Sequence, residues 1–186
     1  MNLTLKAHEE CARFIAQSGA RFAADFTLGN GFDALFLAKT LPADGKVYAF
    51  DVQEAALESS RKLFFENGVP QSKYEFFLKS HADWVDVLGA RSKEIACAML
   101  NLGWLPKSDK KTITDPVSTL ACMGALLKVF KEAGRPAFLS ALCYRGHVGG
   151  LEEFEAVRGF LNAGGASLAE FCGDAKNSPV LFCARF

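Results

Sequence analysis

Short runs rich in β-branched and aromatic residues alternate along this chain with stretches of helical period. No other feature constrains the fold as much, because strands that follow one another through helices must lie parallel, with the crossovers covering the sheet. The runs fall at residues 20–26, 46–51, 74–79, 94–101, 136–144, 167–173 and 180–186, and the helical stretches at 33–40, 54–67, 82–88 and 117–133, with a further helix beginning near Leu151. Residues 174–179 are too few for a crossover helix, so the last two strands are expected to form an antiparallel hairpin. The predicted fold is therefore α/β and Rossmann-like: a seven-stranded, mostly parallel sheet, its last strand antiparallel, with helices on both faces. Gly68 and Gly134 stand where helix C-caps are wanted, and Gly149-Gly150 precedes the last helix. With no repeat or linker in 186 residues, half of them hydrophobic, one domain over 1–186 is expected.

Charge and cysteine usage narrow the function classes. Lysine plus arginine and aspartate plus glutamate number 21 each, so the global positive field that concentrates a protein on nucleic acid is absent, and RNA binding requires a local patch. The cysteines at 11, 97, 122, 143, 172 and 183 stand singly, without a Cys-x-x-Cys pair, and read as reduced core residues; no metal site is expected. Glu9 and Glu10 interrupt the N-terminal segment before any apolar block forms, and no later run reaches the roughly 18 uncharged residues of a membrane span. The expectation is a cytoplasmic protein without membrane attachment; the oligomeric state stays open, a homodimer included.

Asp25-Phe26-Thr27-Leu28-Gly29-Asn30-Gly31-Phe32-Asp33-Ala34 is the most informative stretch. It forms the first strand-to-helix turn, where open α/β sheets bind ligands, and glycines at 29 and 31 let backbone approach a ligand closely. Gly29-x-Gly31-x-x-Ala34 also fits the loose dinucleotide fingerprint. A pyrophosphate, however, wants a helix N-terminus free of anions. Asp25 and Asp33 instead favour a cofactor with a cationic amino-acid end, whose ammonium Asp25 can accept. Asp51, about 20 residues beyond the glycines at the end of an apolar strand, suits ribose hydroxyls or the cap of the following helix. Ser80-His81, after the third strand, stands where base-edge contacts are expected, or serves as a simple cap.

Two later motifs point to a substrate. Asn101-Leu102-Gly103-Trp104-Leu105-Pro106 ends the fourth strand in an amide beside a bend, an arrangement that holds an amine by its hydrogens with the lone pair free. Trp104 offers a stacking face or packs in the core. Lys107, Lys110 and Lys111 form the clearest basic cluster, a phosphate contact or a solvated loop. Tyr144-Arg145-Gly146-His147-Val148-Gly149-Gly150 ends the fifth strand, with side chains able to accept or move a proton.

These motifs, in order from residue 25 to about 160, resemble the bacterial family labelled rRNA methylases and later tied to N-methylation of 5-aminomethyluridine in tRNA. The matching pieces are Asp25-x-Thr27-x-Gly29-Asn30-Gly31-x-Asp33, Val47-Tyr48-x-Phe50-Asp51-x-Gln53, Asn101 to Pro106 with Asp109-Lys110, and Tyr144-x-Gly146-His147-x-Gly149-Gly150. The resemblance implies the seven-stranded methyltransferase fold, S-adenosylmethionine as cofactor, and the wobble uridine in the anticodon region of tRNA as substrate. It places Asp25, Thr27, Gly29, Asn30, Gly31, Asp33, Asp51, Gln53, Ser80 and His81 at the cofactor and Asn101, Tyr144 and His147 at the reacting amine. Trp104, Lys107, Lys110, Lys111 and Arg145 are then expected to contact RNA. Methylation of a small-molecule amine, NAD-dependent redox chemistry and a non-catalytic cofactor-binding module that docks a partner are the alternatives.

Overall fold

The computed structural model describes residues 1–103, 114–173, 175 and 178–186. Strands β1 Phe22–Asp25, β2 Lys46–Asp51, β3 Tyr74–Leu78, β4 Cys97–Leu102, β5 Phe138–Cys143, β6 Ser167–Cys172 and β7 Val180–Arg185 form one sheet in the order β3-β2-β1-β4-β5-β7-β6. Every pairing from β3 to β5 is parallel. β7 inserts between β5 and β6 and runs antiparallel to both, which is the seven-stranded methyltransferase arrangement expected from the sequence.

The strands show why the runs were legible. Because successive strand residues point to opposite faces, Ala24, Tyr48, Phe50, Ala98, Leu100, Leu139, Ala141 and Phe182 pack into one buried cluster. Their neighbours Ala23, Val47, Ala49, Cys97, Met99, Phe138 and Leu181 pack into the other. Helices α4 Trp84–Leu88, α5 Pro116–Ala133 and α6 Gly150–Ala163 cover the first face. The second is covered by α1 Leu3–Ser18, α2 Phe32–Thr40 and α3 Glu54–Glu66. With both faces buried, the central strands read as continuous apolar runs.

Helix α1 is absent from the expected elements. Its buried stripe is Leu3, Ala7, Cys11, Phe14 and Ile15, a correct helical spacing filled partly by small residues, so the apolar signal is weak. Its ends are nonetheless well marked: the Asn2 side chain accepts the Leu5 N–H, and Gly19 closes the helix in the left-handed conformation. Buried Glu10 holds α1 to the sheet by accepting from Arg185 of β7 at 3.1 Å. The cysteine expectation also needs correction at one place. Five are buried, but Cys172 is exposed, because β6 is an edge strand with largely uncovered faces. Among the described residues no helix is long and apolar enough to cross a membrane.

Candidate active site

The strand order reverses direction between β1 and β4, and loops leaving adjacent strands there part to either face, opening a crevice at their carboxyl ends. A cavity of about 1210 Å³ occupies that place. It is lined by Thr27, Gly29, Asn30, Asp33, Asp51, Gln53, Ser80, His81, Asn101 and Tyr144, ten of the residues singled out in the sequence. Asp25, Gly31, Arg145 and His147 are not in that lining. Trp104, Lys107, Lys110 and Lys111 lie outside the described residues.

The turn after β1 is stitched to its neighbours by backbone: Phe26 N–H donates to Met99 and Leu28 N–H to Phe50. Asp51 completes it, one carboxylate oxygen accepting the Gly29 N–H and the other the Gln53 N–H, both at 2.9 Å. Asp51 therefore does not cap α3, whose N-cap residue is Gln53 with no side-chain hydrogen bond. Each oxygen keeps a second lone pair toward the cavity. Ser80 has a structural duty as well, accepting the Ala82 N–H as the cap of a 3-10 turn over His81–Asp83.

Gly31 serves packing rather than lining. Its φ is +81°, and a Cβ there would meet Ser60 of α3 at 2.6 Å from Oγ and 2.8 Å from Cβ. The second glycine of the turn thus lets α3 close against α2. Ser60 donates in turn to the Gly29 carbonyl at 3.2 Å.

Three carboxylates gather at the ends of β1 and β2. Asp25 is buried, with one oxygen accepting the Thr27 N–H at 3.1 Å and the other without a hydrogen-bond partner among the described residues. Burial, with the negative charges of Asp33 and Asp51 nearby, pushes its carboxyl well above the usual carboxylate range. A cation relieves such a site, whereas a pyrophosphate would aggravate it. Across the cavity, burial holds the His81 imidazole below its ordinary pKa against the pull of Asp115, Asp51 and Asp83. Its Nε2 is buried without a hydrogen bond among the described residues. An unsatisfied ring nitrogen on one side and carboxylates on the other fit an adenosyl group with a cationic tail.

The adjoining wall of the cavity is built on β4, the neighbour of β1. Asn101 N–H donates to Thr27 Oγ1 at 2.7 Å, and the Asn101 side-chain NH2 donates to Asp33. Asp33, in the first turn of α2 and buried, also meets His8 Nε2 at 2.6 Å. Tyr144, 39% exposed, packs its ring against Gly103, where a Cβ would stand 3.4 Å from the Tyr144 Cβ. Burial and the charge of Asp33 raise the Tyr144 hydroxyl pKa, opposed by a hydrogen bond with Thr4.

The remaining residues of that motif face elsewhere. Arg145 Nε donates to the Ser178 carbonyl at 2.9 Å, and its guanidinium lies 5.1 Å from the Phe154 ring. His147 has Nδ1 at 2.9 Å from the Val148 carbonyl, and its ring covers Gly150, where a Cβ would meet Nε2 at 2.8 Å.

Several residues of the site escaped the sequence reading. Thr4, Phe32, Thr114, Asp115 and Ser118 line the cavity, and His8 reaches it through Asp33. Asp115 was findable, since Asp115-Pro116 is a helix start: its carboxylate accepts the Ser118 hydroxyl and the Ser118 and Val117 N–H groups, which lowers its pKa. Thr4 and His8 sit on the unread helix α1 and carry no local signal.

Comparison with known proteins agrees with this geometry. The model of the family described as "Putative rRNA methylase" matches residues 47–181. A curated relative from Arabidopsis thaliana, the chloroplastic tRNA (mnm(5)s(2)U34)-methyltransferase, is 32% identical over 143 residues, covering 73% of this chain and 51% of the relative. The chain thus spans about half the length of that relative. Among solved structures, a Clostridium thermocellum protein bearing the same description as the family superposes with a TM-score of 0.86 at 23% identity, over 100% of this chain and 98% of that one. A Streptococcus mutans protein in complex with SAH gives a TM-score of 0.78 at 27% identity, over 95% and 96% of the two chains.

Proposed function

Because the chain belongs to the family described as "Putative rRNA methylase", we propose that it is an S-adenosylmethionine-dependent methyltransferase of RNA. The group methylated is the 5-aminomethyl nitrogen of the wobble uridine in the anticodon region of tRNA. The observation that carries the reading is one cavity lined by Asp51, with Asp25 buried nearby, and by Asn101 and Tyr144 beside Asp33. The carboxylates suit a cationic cofactor, and the amide and phenol suit an amine. The SAH held by the Streptococcus mutans relative supports the cofactor, and the substrate of the Arabidopsis relative supports the tRNA.

When bound, S-adenosylmethionine supplies an electrophilic methyl group on sulfur. Asp51 accepts from the ribose hydroxyls with its free lone pairs, Gly29, Asn30 and Gln53 line the ribose and amino-acid path, and Ser80 and His81 face the base. Asp25 lies outside the lining, and a bound cation would favour its charged form. Asn101 and Tyr144 orient the amine. An alkylammonium has a pKa of about 10.4, so freeing its lone pair near pH 7 costs roughly 4–5 kcal/mol; partial desolvation between Asn101, Gly103 and Tyr144 offsets part of this. His147 lies outside the lining, so a proton reaches it only through water or a shift of residues 145–149. Lys107, Lys110 and Lys111 follow β4 and supply the cationic patch that an otherwise neutral chain needs for tRNA.

Nucleoside analysis of tRNA from cells with and without the protein tests the reading. Loss of the methylaminomethyl uridine with accumulation of its aminomethyl precursor is expected. An unchanged profile would favour a small-molecule amine, the reading that the balance of 21 cationic and 21 anionic residues supports.

A further inference from the structure

A three-residue chain runs from helix α1 to the cavity wall through His8, Asp33 and Asn101. His8 Nε2 lies 2.6 Å from one Asp33 oxygen, and the Asn101 NH2 donates to the other. The imidazole is itself held in place, stacked on Phe36 of α2 with centroids 3.9 Å apart and rings within 1° of parallel. The Asn101 backbone is fixed by its N–H bond to Thr27 Oγ1 at 2.7 Å. An ionised carboxylate can only accept, so the Asn101 atom facing Asp33 must be its NH2, and the His8 nitrogen facing Asp33 must carry a hydrogen. The opposite amide orientation would set two acceptor oxygens against each other. With one NH2 hydrogen committed to Asp33, the amide orientation is set, and the carbonyl oxygen is the acceptor Asn101 offers a ligand, in a lining it shares with Tyr144 and Gly103.

We infer that His8 and Asp33 are positioning residues that fix which way the Asn101 amide faces, so that a carbonyl oxygen rather than an NH2 meets the amine to be methylated. The inference rests on the reading of the cavity as an amine-methylating site. An amine held for attack needs acceptors for its hydrogens and no donor competing for its lone pair. Asp33 denies the amide its other orientation, and His8 keeps Asp33 from rotating away from that duty. Asp33 is thereby moved from the cofactor to the substrate end, its two oxygens already engaged. Helix α1 thus contributes to the reacting end through His8, 25 residues upstream of Asp33, as well as through Thr4.

The test has a spectroscopic and a kinetic arm, read on His8→Ala, His8→Gln and Asp33→Ala. The glutamine amide nitrogen can donate to the same Asp33 oxygen, so it serves as the conservative rescue. In the nitrogen-15 NMR spectrum the Asn101 side-chain NH2, assigned by its loss in Asn101→Asp, is expected to be shifted and slow to exchange. It should become ordinary in Asp33→Ala, move in His8→Ala and return in His8→Gln. Turnover on aminomethyl-uridine tRNA should fall about 10–100-fold in His8→Ala, the scale for removing a residue that orients a reacting group, and recover in His8→Gln. Cofactor affinity by calorimetry should not change in His8→Ala or His8→Gln. An Asn101 amide that is indifferent to both His8→Ala and Asp33→Ala overturns the inference, as does a folded His8→Gln variant no faster than His8→Ala. If the wild-type protein does not methylate this tRNA, the functional reading fails, while the NMR arm still decides whether the amide is held.

Discussion

Replacing Gly31 by alanine tests whether the second glycine of the turn serves helix packing or ligand approach. At φ +81° an L-residue pays about 1–2 kcal/mol for the left-handed backbone. The new Cβ also falls 2.6 Å from Ser60 Oγ, 2.8 Å from its Cβ and 3.1 Å from its Cα. The hydroxyl can rotate away by giving up its bond to the Gly29 carbonyl, but Cβ and Cα belong to a fully buried residue of α3 and move only with the helix. Such overpacking costs about 1–3 kcal/mol. The sum, about 2–5 kcal/mol, lowers Tm by roughly 4–20 °C for a chain of this length. The two contributions are separable. Ser60→Gly removes the two closest contacts, keeping the Cα at 3.1 Å and the backbone strain, at its own cost of about 1 kcal/mol for glycine in a helix. In a double-mutant cycle followed by urea and thermal unfolding, Gly31→Ala and Ser60→Gly should couple favourably by about 1–3 kcal/mol. Ser60→Ala, which keeps the Cβ, should couple far less. The folded double variant should keep its cofactor affinity. A loss below about 1 kcal/mol in Gly31→Ala, or no coupling to Ser60, would refute the packing argument; a folded double variant that no longer binds cofactor would return Gly31 to the ligand.

Asp51→Ala should weaken S-adenosylmethionine binding by about 1–3 kcal/mol in calorimetry, the scale of hydrogen bonds to a charged group. Tm should fall with it, because the Gly29 and Gln53 N–H groups lose their acceptor. The raised Asp25 pKa makes the folded state bind more protons than the unfolded one above the ordinary carboxylate range. Its contribution to stability is therefore full below about pH 3.9 and is lost as pH rises through the folded value. Asp25→Asn should show a flatter loss of unfolding free energy over that window, and parallel profiles would count against it. Changing Lys107, Lys110 and Lys111 together to alanine should reduce the salt dependence of tRNA binding by up to about three units of slope, measured by titration at several ionic strengths. An unaltered slope would make the cluster an ordinary solvated loop.

The sheet was legible because its strands are buried on both faces or flanked by turn residues, so each left an apolar run with clear ends. β2, read at 46–51, forms over Lys46–Asp51. Helix α1 was not legible, since alanine and cysteine in its stripe give little hydrophobic contrast. That miss carried over to the site: residues at strand ends, such as Asp51, Asn101 and Tyr144, are placed by the fold class itself, whereas His8 matters only because α1 packs beside α2. The sequence also could not distinguish which glycine of the turn faces a ligand, because the deciding contact is with Ser60, 29 positions along the chain. Arg145 shows the same limit: its partner Ser178 stands across the β5–β7 pairing.

The position of β7 bears on how the protein emerges from the ribosome. It is the last of the strands to be synthesised, yet it lies between β5 and β6. Until it arrives, β5 ends the sheet with an unpaired backbone edge, and β6 has no strand to join. The nascent chain must therefore hold an open edge while two of the sheet's seven strands are still unpaired, a state prone to pairing with other chains. Val180, Leu181 and Phe182, all buried in the finished fold, are the residues that close it. A pause in translation just before them should lengthen the need for a chaperone, whereas a pause within β6 adds little to an edge already exposed.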